Sequence, residues 1–172
     1  MNHDDISRST LQHYNEHAED FFAGTIDHDV SQNIDALLGA ITTSAPHTIL
    51  DLGCGPGRDL KTFSGLGHRA IGVDGSERFV AMARQYSGCE VWQQDFLHLD
   101  LPPALFDGIF ANAVLFHVPS AALPHTLDQL FGTLFGFAGV ALATPLAAVL
   151  SVLVKMLYIE DILGDRPAKG VS

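Results

Sequence analysis

Positive charge is scarce in this chain. Its 172 residues hold 9 Lys and Arg against 20 Asp and Glu, a formal net charge of −11. So acidic a surface repels phosphate backbones and excludes nucleic acid as the main partner. Cysteine is scarcer still. Cys54 and Cys89 are too few and too far apart for a disulfide framework, which points to a reducing, cytoplasmic setting. The first residues, Met1 to Asp5, lack the basic start and apolar stretch of a signal peptide, so none is expected. Internal repeats and low-complexity linkers are also missing. A chain of this length has room for about one ordinary domain.

Charge of either sign disappears between Phe131 and Val154, a run of 24 residues. A helix crossing the hydrocarbon core of a bilayer needs about 20 apolar residues. The expectation is therefore a domain over 1–128 followed by an apolar segment, 129–172, that forms a membrane helix or re-entrant hairpin through 131–159. Pro145 and the glycines 132, 136 and 139 suit a kink or a pair of half-helices. Lys155, Arg166 and Lys169 all follow the run, and a hairpin would keep both of its ends cytoplasmic. A second reading stays open: Gly139 to Pro145 as a fifth strand, because a central parallel strand also reads as a continuous apolar stretch.

What the chain does have is glycine at one place. Thr48-Ile49-Leu50-Asp51-Leu52 reads as a buried strand, and it runs into Gly53-Cys54-Gly55-Pro56-Gly57, glycine at every second position. Such a loop turns sharply and lets a ligand approach the backbone, and a helix start beyond it offers free N–H groups. Nineteen residues after Gly55, the apolar stretch Ala70-Ile71-Gly72-Val73 ends in Asp74, at the offset of an acid that accepts hydrogen bonds from a ribose diol. A nucleoside-containing cofactor follows. A dinucleotide fingerprint requires a third glycine where this chain has Arg58, which makes NAD the weaker candidate.

The pattern Asp51-x-Gly53-x-Gly55-x-Gly57 resembles motif I of the Rossmann-like S-adenosylmethionine (SAM) methyltransferases. The likeness extends over roughly residues 8–128: Tyr14 to Phe22 is similar to the helix that folds over the cofactor, Gly72 to Ser76 to the ribose-binding turn, Gln94-Asp95-Phe96 to the adenine contact, and Phe106 to Pro119 to strand four and its loop. The resemblance implies an α/β fold with a Rossmann-like parallel sheet, and transfer of a methyl group to a small-molecule acceptor. It implies that Gly53, Cys54, Gly55 and Gly57 approach the methionine and ribose portions, that Asp74 with Gly75 and Ser76 holds the ribose, and that Asp95 and Phe96 hold the adenine. It further implies Asp51 near the methionine ammonium beside the backbone around Phe110, Ala111 and Asn112, and Tyr14 as a lid. His117 is the candidate general base, since its ordinary pKa lies near neutrality and it follows strand four. Cys54 reads as small filler rather than a nucleophile.

The tail carries a likeness of its own. Leu130 to Gly136, Ala143 to Leu150 and Val154 to Gly164 resemble the last membrane segment of the autoinducer exporter family of permeases, which places a seam near 128–130. A membrane-inserted fragment with an inactive SAM-binding passenger is the alternative function. At most one of the family's last three strands can be recognised, so the sheet is expected to be truncated and turnover weak or absent. Acceptor identity and oligomeric state do not follow from the residues.

Local patterns predict helices over 6–22, 30–43, 57–66, Glu77–Tyr86 and from about Ser120, with strands over 47–52, 69–74, 89–94 and 107–112. Ile34, Leu37, Leu38 and Ile41 supply helical spacing in the second helix. Asp51, Asp74, Asp95 and Asn112 all fall at carboxyl ends of strands, where open parallel sheets bind ligands.

Overall fold

The computed structural model describes residues 3–136. Four strands form one parallel sheet: β1 (Thr48–Leu52), β2 (Arg69–Asp74), β3 (Glu90–Gln93) and β4 (Gly108–Phe110), in the spatial order β3-β2-β1-β4. Register pairs Asp51 with Gly72 on one side and with Phe110 on the other. The order reverses at β1, so a crevice opens between β1 and β4 at their carboxyl ends.

Successive strand residues point to opposite faces, and the chain buries both. Leu50, Leu52, Ile71 and Val73 pack on one face with Leu99, Phe106, Val114, Leu123 and Leu127. Ile49, Ala70, Val91 and Phe110 pack on the other with Ile34, Leu60, Phe63 and Val80. Three helices carry the second set: α3 (Ser31–Ala40), α4 (Arg58–Gly65) and α5 (Glu77–Ser87). Strand β2 matches its expected bounds. Strand β4 is shorter than expected, because the carboxylate of Asp107 accepts from Thr48 N–H at 2.7 Å and from the Thr43 hydroxyl at 3.0 Å, while Asn112 and Ala113 turn, Ala113 at φ 53. Helix α3 stops at Ala40, where Ile41 is extended. Ser76 caps α5, its Oγ accepting from Phe79 N–H at 3.1 Å, and Gly88 ends the helix at φ 72.

The single helix expected over 6–22 is two: α1 (His3–Glu16) and α2 (Ala18–Thr25), broken at His17 with φ −120 and ψ 24. The bend brings the rings of Tyr14 and Phe21 edge to face at 5.5 Å. Ser76 Oγ in turn donates to Asn15 Oδ1 at 2.7 Å and so ties α1 to the start of α5.

After β4 come a 3₁₀ turn (Leu115–His117) and a helix, α6, over residues 123–136. Pro124 lies in the first turn of α6, where its missing N–H costs nothing. The expected boundary at 128/129 falls inside this helix. Leu127, Leu130, Phe131 and Leu134 on either side of it pack into the same core, and Thr126 Oγ1 and Gln129 Nε2 donate to the carbonyls of Phe96 and Leu99. No described helix is long and apolar enough to cross a membrane. The rest of the apolar run, the fifth-strand alternative and the permease-like end lie outside the described residues.

Candidate functional site

A cavity of about 290 Å³ opens over the carboxyl ends of β1, β2 and β4, near the lower limit of ordinary ligand pockets at roughly 300–1,000 Å³. The glycine loop forms its floor. Gly53 sits at φ 69, and a Cβ there would stand 2.2 Å from Val114 Cγ2, so the loop closes against the segment after β4 only because the side chain is absent. Gly57 has a different task. At φ 93, its missing Cβ would lie 2.8 Å from Ala83 Cα, and it packs α4 against α5.

Asp74 faces the loop. Its Oδ2 accepts from Gly55 N–H at 3.0 Å and its Oδ1 from Ser76 N–H at 2.8 Å. Burial nevertheless pushes the carboxyl up to about 6, with the backbone N–H groups of Ser76, Gly55 and Gly75 pulling the other way. Deeper, Asp51 is 2% exposed and its Oδ2 has no hydrogen-bond partner. Burial, then the charges of Asp59 and Asp74, raise its carboxyl well above the usual range, and Arg58 opposes them. That guanidinium is engaged elsewhere: Nε and a terminal nitrogen reach the two oxygens of Asp59 at 2.7 and 2.9 Å, and the other terminal nitrogen donates to Thr25 O at 2.9 Å. Burial also raises the Cys54 thiol well above its ordinary value, so the sulfur stays neutral and is no nucleophile.

On one wall, Asp95 accepts from Ser7 Oγ at 2.6 Å and Leu97 N–H at 2.9 Å, with Phe96 beside it on the cavity lining. At the mouth the Tyr14 hydroxyl and His117 Nε2 are hydrogen-bonded at 3.0 Å, joining α1 to the turn after β4. Burial lowers the His117 pKa and, ahead of the Asp74 charge, raises that of Tyr14. The imidazole is therefore neutral at pH 7 and able to take a proton. Tyr14, Phe21 and Phe79 pack ring on ring at 5.2–5.5 Å over the opening.

Of the residues expected at the site, Tyr14, Gly53, Cys54, Gly55, Asp74, Gly75, Asp95, Phe96, Asn112 and His117 line one cavity. Asp51, Gly57, Ser76 and Ala111 stand outside its lining. Asp51 lies buried at the end of β1, Gly57 and Ser76 serve α5, and Ala111 packs against the core. Asn112 Oδ1 also accepts from Asn33 Nδ2 at 3.1 Å, which links β4 to α3. Sequence reasoning passed over Ser7, Phe21, Asp59 and Phe79, all on the cavity wall. Asp59 had a local signal, an acid next to Arg58 in the first turn of a helix. Phe21 lies in the Tyr14 to Phe22 stretch that resembles the helix over the cofactor, whereas Phe79 had no signal, because packing between separate helices brings it to the mouth.

Residues 49–134 match the sequence profile of a family described as Methyltransferase domain. The chain is 38% identical over 98 residues to trans-aconitate 2-methyltransferase of Azoarcus sp., covering 55% of this chain and 39% of that protein. It is 32% identical over 82 residues to sterol 24-C-methyltransferase of Eremothecium gossypii, covering 42% and 21%. The match thus spans well under half the length of either relative. Among solved structures, phosphoethanolamine N-methyltransferase 1 of Haemonchus contortus, in complex with phosphoethanolamine and S-adenosylhomocysteine, superposes with a TM-score of 0.61 at 16% identity over 76% of this chain and 30% of that one. The 1,6-didemethyltoxoflavin-N1-methyltransferase of Burkholderia thailandensis gives a TM-score of 0.57 at 24% identity over 76% and 56%. These two likenesses show the shared fold.

Proposed function

Since this chain belongs to the methyltransferase-domain family, we propose that it binds S-adenosylmethionine and serves methyl transfer to a small-molecule acceptor. The observation that carries this reading is Asp74: a buried carboxylate on the cavity wall, bonded to Gly55 N–H and without a cationic partner among the described residues. The residues fit the cofactor. The cradle at Gly53 admits no Cβ, and beneath it the buried Asp51 Oδ2 is an acceptor without a hydrogen-bond partner. The names of the matched relatives, which act on small organic acceptors, support the acceptor class.

The cofactor supplies an activated methyl on a sulfonium sulfur; the chain has to bind, orient and exclude water. Asp74 has lone pairs left for ribose hydroxyls after its two backbone bonds. Asp95, held by Ser7 and Leu97, accepts from the adenine amino group, and Phe96 packs on the ring. Gly53 and Gly55 let the methionine portion approach the backbone. Tyr14, Phe21 and Phe79 close the mouth and keep water out. His117 receives the acceptor's proton at its ring nitrogen, and the Tyr14 hydroxyl orients that ring. Orientation of this kind contributes several of the ~7–11 kcal/mol available from positioning.

Isothermal titration tests the reading. The chain is expected to bind S-adenosylmethionine saturably, and Asp74→Ala, with unchanged circular dichroism, to lose at least tenfold in affinity. Equal binding by the variant, or none by the wild type, overturns it.

A further inference from the structure

We propose that the acceptor of this site is an uncharged phenol, its ring against Phe116 and its hydroxyl at His117 Nδ1. This acceptor class deepens the methyl-transfer reading and presupposes it.

Phe116 and Phe21 are two of the four large apolar side chains left exposed among the described residues, at 49% and 37%, and both line the cavity. They reach it from separate segments, the turn after β4 and α2. In that turn Val114, Leu115 and Val118 pack into the core, whereas Phe116 stays on the lining. Its ring stands 4.1 Å from that of His117, which is 5.4 Å from Tyr14, itself 5.5 Å from Phe21. A single exposed apolar side chain is ordinary. A row of rings beside a base is a surface on which a planar aromatic body packs.

Charge on the lining selects against an anion. The carboxylates there are Asp59, Asp74 and Asp95. The one guanidinium, Arg58, is forked onto Asp59 and bonded to Thr25 O. Beyond the imidazoles of His28 and His117, a carboxylate acceptor would find no lysine and no free guanidinium among the described lining residues. It would also arrive already ionised, leaving His117 no proton to take.

Acidity separates a phenol from an aliphatic alcohol. A phenol gives up its proton near a pKa of about 10, and a hydroxyl as weakly acidic as water only near about 15.7. Burial lowers the His117 pKa, so the imidazole is a weaker base and the more acidic hydroxyl is the better match. Nε2 meets the Tyr14 hydroxyl at 3.0 Å, and Nδ1 takes the proton. The phenol oxygen loses that proton and gains the methyl, while the methyl–sulfur bond breaks with its electron pair left on sulfur. Nothing is oxidised or reduced.

Probes on one ring system test the class: 2-naphthol, 2-naphthalenemethanol and 2-naphthoate, with trans-aconitate as a second carboxylate. Each is titrated calorimetrically into the chain saturated with S-adenosylhomocysteine, then offered with S-adenosylmethionine labelled in its methyl group. 2-Naphthol is expected to bind at least tenfold more tightly than 2-naphthoate. It should carry label as its methyl ether, the other three carrying less than a tenth as much. Phe116→Ala should raise the KM for 2-naphthol about tenfold, with kcat within threefold of the wild type, and Phe116→Tyr should restore the KM. Equal or tighter binding of 2-naphthoate overturns the proposal while the cofactor reading stands. So does label on a carboxylate or the alcohol at the rate of 2-naphthol, no label on 2-naphthol, or a KM unmoved in Phe116→Ala. Failure of the wild type to bind S-adenosylmethionine overturns both. Should Phe116→Ala fail to fold, the wild-type order among the four probes decides.

Discussion

Asp74 combines two demands that pull against each other: its position on the cavity wall takes it out of water, yet the proposed ribose contact needs it ionised. Its folded carboxyl titrates at about 6, above the ordinary carboxylate value. The stability linkage follows from that sign. The folded state carries no penalty where both states are protonated, near pH 3, and gathers one as pH rises through 4 to 6. The full penalty is ~3 kcal/mol. In urea denaturation, Asp74→Asn is therefore expected to compare more favourably with the wild type at pH 8 than at pH 3.5; a pH-independent difference contradicts this. On the proposed reading the same residue is expected to set the acid limb of binding, with affinity for the cofactor declining below about pH 6 as the carboxyl is protonated. Its place was readable from the spacing to Gly55, since a strand end and a loop fix that distance locally. Its perturbed titration was not, because burial depends on what α1 and α5 lay over it.

Among the elements, the glycine loop and the helices around it differ in what a methyl group costs. Gly53→Ala forces a positive φ on alanine and drives its Cβ into Val114. A loss of roughly 2–4 kcal/mol is expected from strain plus overpacking, with displacement of the cavity wall. Gly39→Ala, in α3 with open space at its Cβ, should instead stabilise by ~0.5–1 kcal/mol. Thermal denaturation of the two variants in parallel checks both signs. The joint between α1 and the turn after β4 is a second test. Tyr14→Phe removes the hydroxyl that holds His117 and should lower turnover about tenfold with little change in cofactor affinity, and His117→Ala should lower it ~10²–10⁴-fold. Because burial lowers the His117 pKa, the loss of turnover on acidification should begin below the ordinary histidine range, and in Tyr14→Phe the limb should shift. A limb at the ordinary value in both proteins would argue against His117 as the base. None of this geometry could be read before the fold, since 103 residues separate the two side chains.

For the whole molecule, ligand linkage is the simplest readout. S-adenosylmethionine at 100 times its dissociation constant should add ~2.7 kcal/mol to the unfolding free energy, and NAD should add nothing; the converse in a thermal-shift assay would restore the dinucleotide reading. The sheet order places Asp51, Asp74, Asp95 and Asn112 around one end of the molecule, and that convergence turns separate short motifs into a site.

Strand identity, the parallel sheet, the glycine loop and the Asp74 offset were determined by local sequence: each depends on apolar alternation, glycine's missing Cβ or a chain distance of a few residues. Helix bounds were less legible where tertiary contacts intervene, as at His17, where the expected continuous helix bends, and at residues 128–130, where an expected seam is unbroken helix packed into the core. Only the tertiary structure decided that Gly57 packs against α5, that Asp51 is sealed without a partner for Oδ2, and that Tyr14 meets His117. Those outcomes depend on burial and on contacts between distant segments, and both arise only once the sheet and its helices have assembled.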